Sequence, residues 1–160
     1  MKLSGWAFFA IASALVMVVF PDMPAQAESS VVIEKIKESE LDALILAEDN
    51  SVVIAFMAAW CAPCLDELPT LNKLFKKFKD QGFKLIGISI DVGSADAIQP
   101  IVNKLKIDFP LYWYGEMAVI KFNLKAIPLL LFIKQGEIVE RLPGRRPEAF
   151  LEQKIREFIK

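Results

Sequence analysis

The 160-residue chain has two cysteines, and they stand two residues apart in Cys61-Ala62-Pro63-Cys64. Thiols at that spacing suit reversible dithiol/disulfide exchange. One thiolate attacks a foreign disulfide and the other resolves the mixed disulfide that forms. Both electrons then reside in the two sulfurs, so the chemistry needs no cofactor. The same spacing can supply half of a tetrahedral zinc site, but zinc takes four N or S ligands. This chain has no His and no other Cys, so no metal site is expected. Haem attachment of the c type needs a His after the second Cys, and Leu65 stands there. A purely structural disulfide across so short a loop would constrain the unfolded chain little.

The flanking residues say how such a pair would be held. Val52-Val53-Ile54-Ala55-Phe56-Met57 is almost wholly apolar, as a central strand covered on both faces requires. It runs into Trp60-Cys61-Ala62-Pro63-Cys64, after which Leu68, Leu71, Leu74, Phe75 and Phe78 recur at helical spacing. Cys61 is therefore expected exposed at the sheet edge, at a helix N-terminus. Unpaired N–H groups and the positive end of the helix dipole would lower its pKa there. Pro63 falls in the first turn, where its missing N–H costs little. Lys73, Lys76, Lys77 and Lys79 read as the solvated face, and Pro69 should kink the helix.

Trp60-Cys61-Ala62-Pro63-Cys64 resembles the active site of the thioredoxin superfamily, whose usual form is Trp-Cys-x-Pro-Cys. The continuation Leu65-Asp66-Glu67-Leu68-Pro69 is similar to extracytoplasmic reductants of the TlpA/ResA type, with Glu67 three residues after the second Cys and Pro69 two after that. The resemblance covers roughly residues 31–160. It implies Cys61 as nucleophile, Cys64 as resolving thiol, and Trp60 and Pro63 among the residues that meet substrate. In Ala126-Ile127-Pro128-Leu129-Leu130-Leu131-Phe132-Ile133, a Pro opens a buried strand, the position where a strand tolerates it. The resemblance implies a cis bond before Pro128 beside the cysteines, with the Ile127 backbone pairing with a substrate chain by β-addition. An ordinary trans bond is the alternative.

Around this centre the chain reads as an α/β, thioredoxin-like fold with a mixed sheet of four or five strands and helices on both faces. Val31-Val32-Ile33 reads as a first short strand. Ser39 and Asp42 are spaced as a capping box, opening a helix with Leu41, Leu44 and Ile45 apolar. Phe83 to Ile90 is the next parallel strand, reached by a right-handed crossover. Asp91 to Lys106 holds a second amphipathic helix, Phe109 to Tyr114 an aromatic strand or loop, and Glu116 to Phe122 a short helix. This longer segment is similar to the central insertion of TlpA-like proteins. Tyr112, Trp113 and Tyr114 could line a substrate groove or pack in the core. Gln135-Gly136 turns a hairpin into an edge strand, Glu137 to Leu142, and a last helix starts from Pro147 with Phe150, Leu151, Ile155, Phe158 and Ile159 apolar.

The first 27 residues differ in kind. Lys2 is followed by an uncharged, mostly apolar run from Leu3 to Phe20, then Pro21, Pro24 and Ala25-Gln26-Ala27. This reads as a secretory signal peptide cleaved after Ala27, leaving residues 28–160 as one domain in the periplasm or secreted. Eighteen residues of this kind are also just long enough for an uncleaved anchor facing outward. A net charge of −1 gives no basic excess for nucleic acid.

Two positions depart from the thioredoxin pattern. Ala55 stands where a buried Asp usually moves protons for the second thiol, and Glu67, one turn past Cys64, is the candidate substitute. A surface Glu favoured by the helix dipole is the plainer reading. Leu129-Leu130 replaces the usual Thr-Thr after the Pro. Ala58 occupies the place of a peroxidase Thr. Ala62-Pro63 offers no charge to stabilise a reduced thiolate, unlike the His of strong periplasmic oxidants, which argues for a reductant. The resemblance then implies a protein disulfide such as the apocytochrome c haem-binding cysteines as substrate, a membrane thiol donor of the CcdA/DsbD kind, and a monomer. A thiol oxidase or isomerase, or a non-catalytic thioredoxin-like chaperone or adaptor, are the alternatives.

Overall fold

The computed structural model describes residues 31–47 and 51–160. The expected signal peptide lies outside the described residues. Six strands form one mixed sheet: β1 (Glu34–Lys35), β2 (Ser51–Met57), β3 (Lys84–Ser89), β4 (Leu111–Trp113), β5 (Leu129–Lys134) and β6 (Glu137–Pro143), in the order β1-β4-β3-β2-β5-β6. The helices are α1 (Glu38–Leu46), α2 (Ala62–Phe78), α3 (Gln99–Leu105), α4 (Met117–Lys121) and α5 (Glu148–Phe158). β2 pairs in parallel with β3 and antiparallel with β5. It is buried at every position from Val52 to Met57, as its unbroken apolar sequence requires.

Ring contacts show what covers each face. Residues directly opposite in a ladder share a face, so Phe132, which faces Val53, and Phe56 point to opposite sides. Phe132 meets Phe158 of α5 with centroids 5.1 Å apart, and Phe56 meets Phe122, just after α4, at 4.9 Å. α2 lies alongside α5, joined by Lys73–Glu148 and Lys77–Glu152 and by Arg156 over the Phe78 ring. α1 lies with α4 through Lys121, which bonds both Glu38 and Asp42. Helices therefore flank the sheet on both sides.

Two sequence expectations are corrected. The sheet has six strands rather than four or five, the aromatic segment supplying β4, and the first strand is not Val31–Ile33 but the next two residues, Glu34 and Lys35, paired with Tyr112 and Trp113. The Gln99 side chain takes the place of a neighbouring strand at 31–33: its amide accepts from Ile33 N–H at 2.7 Å and donates to the Val31 carbonyl at 2.9 Å. The first helix begins at Glu38 with Lys37 as its N-cap, not at Ser39. Its cap is local, with the Glu40 carboxylate accepting from Lys37 N–H at 2.8 Å.

Other elements follow the sequence. α2 spans 17 residues with Pro69 inside it. The expected second amphipathic helix is a 3-10 turn, Ala95–Ala97, followed by α3, with Ile98 and Val102 buried. Gln135 and Gly136, both at positive φ, make the β5–β6 turn. β6 is an edge strand, made uneven by a bulge beside Ile133 and studded with Glu137, Glu140 and Arg141.

Gly87 in β3 is required by close packing. A Cβ there would sit 2.8 Å from Leu111 Cγ and 3.1 Å from Phe109 Cε2. Gly87→Ala is expected to lower stability by about 1–3 kcal/mol, the usual cost of overpacking, read as a lower urea midpoint with unchanged slope.

Candidate active site

Cys61 is the N-cap of α2, and its sulfur is bonded to that of Cys64. The loop from β2 is held by Cys61 N–H to the Ala58 carbonyl at 3.1 Å, and helical bonds begin at once, Leu65 N–H donating to Cys61 O at 3.1 Å. Pro63 sits in the first turn, as expected. Cys61 is not the exposed thiol expected from the sequence: in the disulfide it is only 5% exposed. Its sulfur turns inward toward Cys64, where it also accepts from Cys64 N–H at 3.3 Å. Trp60 beside it is 67% exposed.

The bond between Ile127 and Pro128 is cis. Leu129 pairs with Phe56, so the antiparallel register carries Pro128 across from Met57, where the chain leaves β2 for the cysteine loop. The Pro128 carbonyl accepts from Gly144 N–H at 2.8 Å. Among the described residues no hydrogen bond reaches the Ile127 backbone.

Glu67 is not the surface residue of the plainer reading. It is 2% exposed, and one carboxylate oxygen accepts from Arg146 N–H at 2.9 Å. Burial pushes this carboxyl above its ordinary range, while the Arg146 N–H and the charges of Arg145 and Arg146 pull it partly back. Its folded pKa thus exceeds the unfolded value near 4.5. Its contribution to stability is full below the unfolded pKa and is lost as pH rises through the raised one. Glu67→Gln keeps an acceptor for Arg146 N–H but cannot ionise. Its stability relative to wild type should therefore rise with pH across that window, which urea unfolding at a series of pH values measures.

One participant was missed by sequence reasoning. Asp91, two residues past the end of β3 and 2% exposed, accepts from Ala59 N–H with both oxygens, at 3.0 and 3.1 Å. Ser89 Oγ donates to the same carboxylate at 2.8 Å, and the Asp91 carbonyl accepts from the Trp113 indole at 2.8 Å. Asp91 thereby ties the residue just before Trp60 to the end of β3. An acidic residue immediately after an apolar run, on the strand end that also delivers the cysteines, was the available signal. Ala55 is buried in β2, where it offers no carboxylate. Among the described residues no group of His, Cys, Asp or Glu could hold a metal ion.

Comparison with known proteins agrees with this architecture. The chain is 29% identical over 105 residues to thiol-disulfide oxidoreductase ResA of Bacillus thuringiensis (strain Al Hakam), which covers 64% of this chain and 60% of that one. The chain thus spans under two thirds of the length of that relative. Among solved structures, it superposes on a thiol:disulfide interchange protein of the thioredoxin family from Chlorobium tepidum TLS with TM-score 0.63 and 20% identity, over 71% of this chain and 82% of the other. StoA from Bacillus subtilis gives TM-score 0.59 and 18% identity, over 66% and 82% respectively. These two likenesses establish the thioredoxin-like α/β fold. A family model matches residues 18–140, well over half the sequence, and the chain belongs to the AhpC/TSA family.

Proposed function

We propose that the protein is a thiol-disulfide oxidoreductase that works outside the cytoplasm as a reductant of protein disulfides. The observation that carries this reading is the Cys61–Cys64 disulfide at the N-terminus of α2, flanked by exposed Trp60. In the reduced protein the Cys61 thiolate attacks one sulfur of the substrate disulfide and the other sulfur leaves as thiolate. Cys64 then gives up its proton and attacks Cys61, restoring the intramolecular disulfide and releasing the second substrate sulfur as thiolate. The helix N-terminus favours the attacking anion. Glu67, three residues beyond Cys64 on α2 and with a carboxyl pKa raised by burial, takes the role of exchanging the proton of the resolving thiol in this reading. Trp60 and Pro63 border the incoming chain, and the unpaired Ile127 backbone, preceding Pro128, offers it a strand-like partner.

The name of the ResA relative supports the reaction class. Ala62-Pro63 places no charge between the cysteines, which supports the reducing direction. The apocytochrome c haem-binding cysteines are the substrate suggested by likeness to the TlpA/ResA type, and re-reduction falls to a membrane thiol donor of the CcdA/DsbD kind. The sequence of residues 1–27 supports export, either with cleavage after Ala27 or with that segment kept as an anchor. No helix among the described residues is long and apolar enough to cross a membrane.

The reduction potential of the Cys61–Cys64 pair in defined thiol buffers, followed by Trp60 fluorescence, tests this function. Thioredoxin lies near about −270 mV and the strongest periplasmic oxidant near about −120 mV, a gap worth about 7 kcal/mol for two electrons. A value at the thioredoxin end supports a reductant. A value at the other end makes the protein a disulfide-forming enzyme, and a pair that cannot be cycled leaves a binding module.

A further inference from the structure

We infer that a cavity beside the redox loop is a subsite for a large apolar side chain of the polypeptide substrate, an inference that rests on the thiol-disulfide activity proposed above. The cavity has a volume of about 570 Å³, and its lining mixes Ile36, Gly93, Trp113, Tyr114, Gly115 and Met117 with the charged residues Lys35, Lys37, Glu38 and Glu116. That volume lies within the range of roughly 300–1,000 Å³ usual for ligand sites.

Its position follows from contacts already described. Asp91 holds Ala59, the residue before Trp60, and its carbonyl holds the Trp113 indole that walls the cavity. The next residues, Val92 and Gly93, lead from this junction into the cavity, and Val92 is 71% exposed. Met117, another lining residue, is 55% exposed. Trp60 next to Cys61, Val92 next to Gly93 and Met117 in the lining are thus all open to an incoming chain. A polypeptide whose sulfur sits at Cys61 passes the Asp91 junction, and its neighbouring side chains reach the cavity.

The lining determines what kind of side chain fits. Most of these charges already have partners: Glu38 bonds Lys121 at 2.8 Å, Lys37 pairs with Glu40 at 3.7 Å, and the Lys35 ammonium lies 5.4 Å over the Trp113 ring. The lining also carries partly exposed Trp113 and Tyr114 and exposed Met117. The Trp113 ring is fixed from below: Gly115 has φ +66°, and a Cβ there would stand 3.0 Å from the ring. A fixed aromatic ring and a pliable Met in one lining suit an aromatic or long aliphatic side chain.

The test uses the reduced full chain and disulfide-bonded peptides of Ser-rich sequence carrying one Phe at successive offsets from the reacting Cys. The small disulfide 5,5′-dithiobis(2-nitrobenzoate) is run alongside. At one offset, Phe should raise the second-order reduction rate about tenfold over the all-Ser peptide, the discrimination expected of a modest hydrophobic pocket. Met117→Glu should bring that ratio close to one, and Met117→Leu should restore it. Exchange at equal rates for all offsets, or a Phe preference untouched by Met117→Glu, overturns the subsite alone. No exchange with any peptide or with the small disulfide overturns the activity, and the subsite with it.

Discussion

The Cys61→Ser protein is expected to reduce a protein disulfide at least about a thousandfold more slowly than wild type, the scale of loss when a covalent nucleophile is removed. Cys64→Ser should behave differently. Cys61 can still attack, but nothing resolves the product, so the substrate stays attached through a mixed disulfide visible by non-reducing electrophoresis and mass spectrometry. The two variants together separate attacking from resolving thiol. Their positions give the reason for this order: Cys61 is at the N-cap, while Cys64 lies a turn inside α2 and is the more deeply buried of the two. Accumulation of a mixed disulfide on Cys61→Ser, through Cys64, would reverse the assignment. Turnover unchanged in Cys61→Ser would remove disulfide exchange from the protein's function altogether.

Asp91→Ala should produce the largest loss of stability of any single polar substitution near the site. The carboxylate is the partner of the Ala59 N–H and of Ser89 Oγ, and the side chain is buried. Its removal leaves two donors without acceptors, at about 1–3 kcal/mol each. A fall of roughly 2–6 kcal/mol in unfolding free energy is therefore expected, seen as a lower urea midpoint in the oxidised protein. Asp91→Asn retains one acceptor oxygen and should lose less. Ala59 is two residues from Cys61, so the same variants should also slow disulfide exchange, with Asn again intermediate. Equal stability of Asp91→Ala and wild type would mean that the loop is held by the disulfide and helix alone.

The legible parts of this protein are those governed by short-range rules. The run Val52 to Met57 could only be a strand covered on both faces, and Cys61 to Phe78 could only be a helix with an apolar side. Pro63 fits the first turn of that helix, Pro128 the entry to β5, and Gln135-Gly136 a hairpin turn. Each is decided by a period, a ring or a φ angle within a few residues. The two-residue β1 was not legible, because so short a strand is defined by pairing with Tyr112 and Trp113 rather than by its own sequence.

The chemistry of the site divides along the same line. By themselves, two cysteines at this spacing in a chain without His determined dithiol exchange as the reaction to expect, since thiol reactivity is a property of the residues and their interval. The tertiary structure decided how that pair is surrounded. It placed Asp91 against Ala59, 32 residues away, and Arg146 against Glu67, 79 residues away, and it turned the Cys61 sulfur inward. It also brought Gly93, Trp113 and Met117 around one cavity. Burial and hydrogen-bond partners across such separations arise only when sheet and helices close on one another, because the desolvation that raises the Glu67 pKa and the donors that hold Asp91 do not exist until distant segments meet.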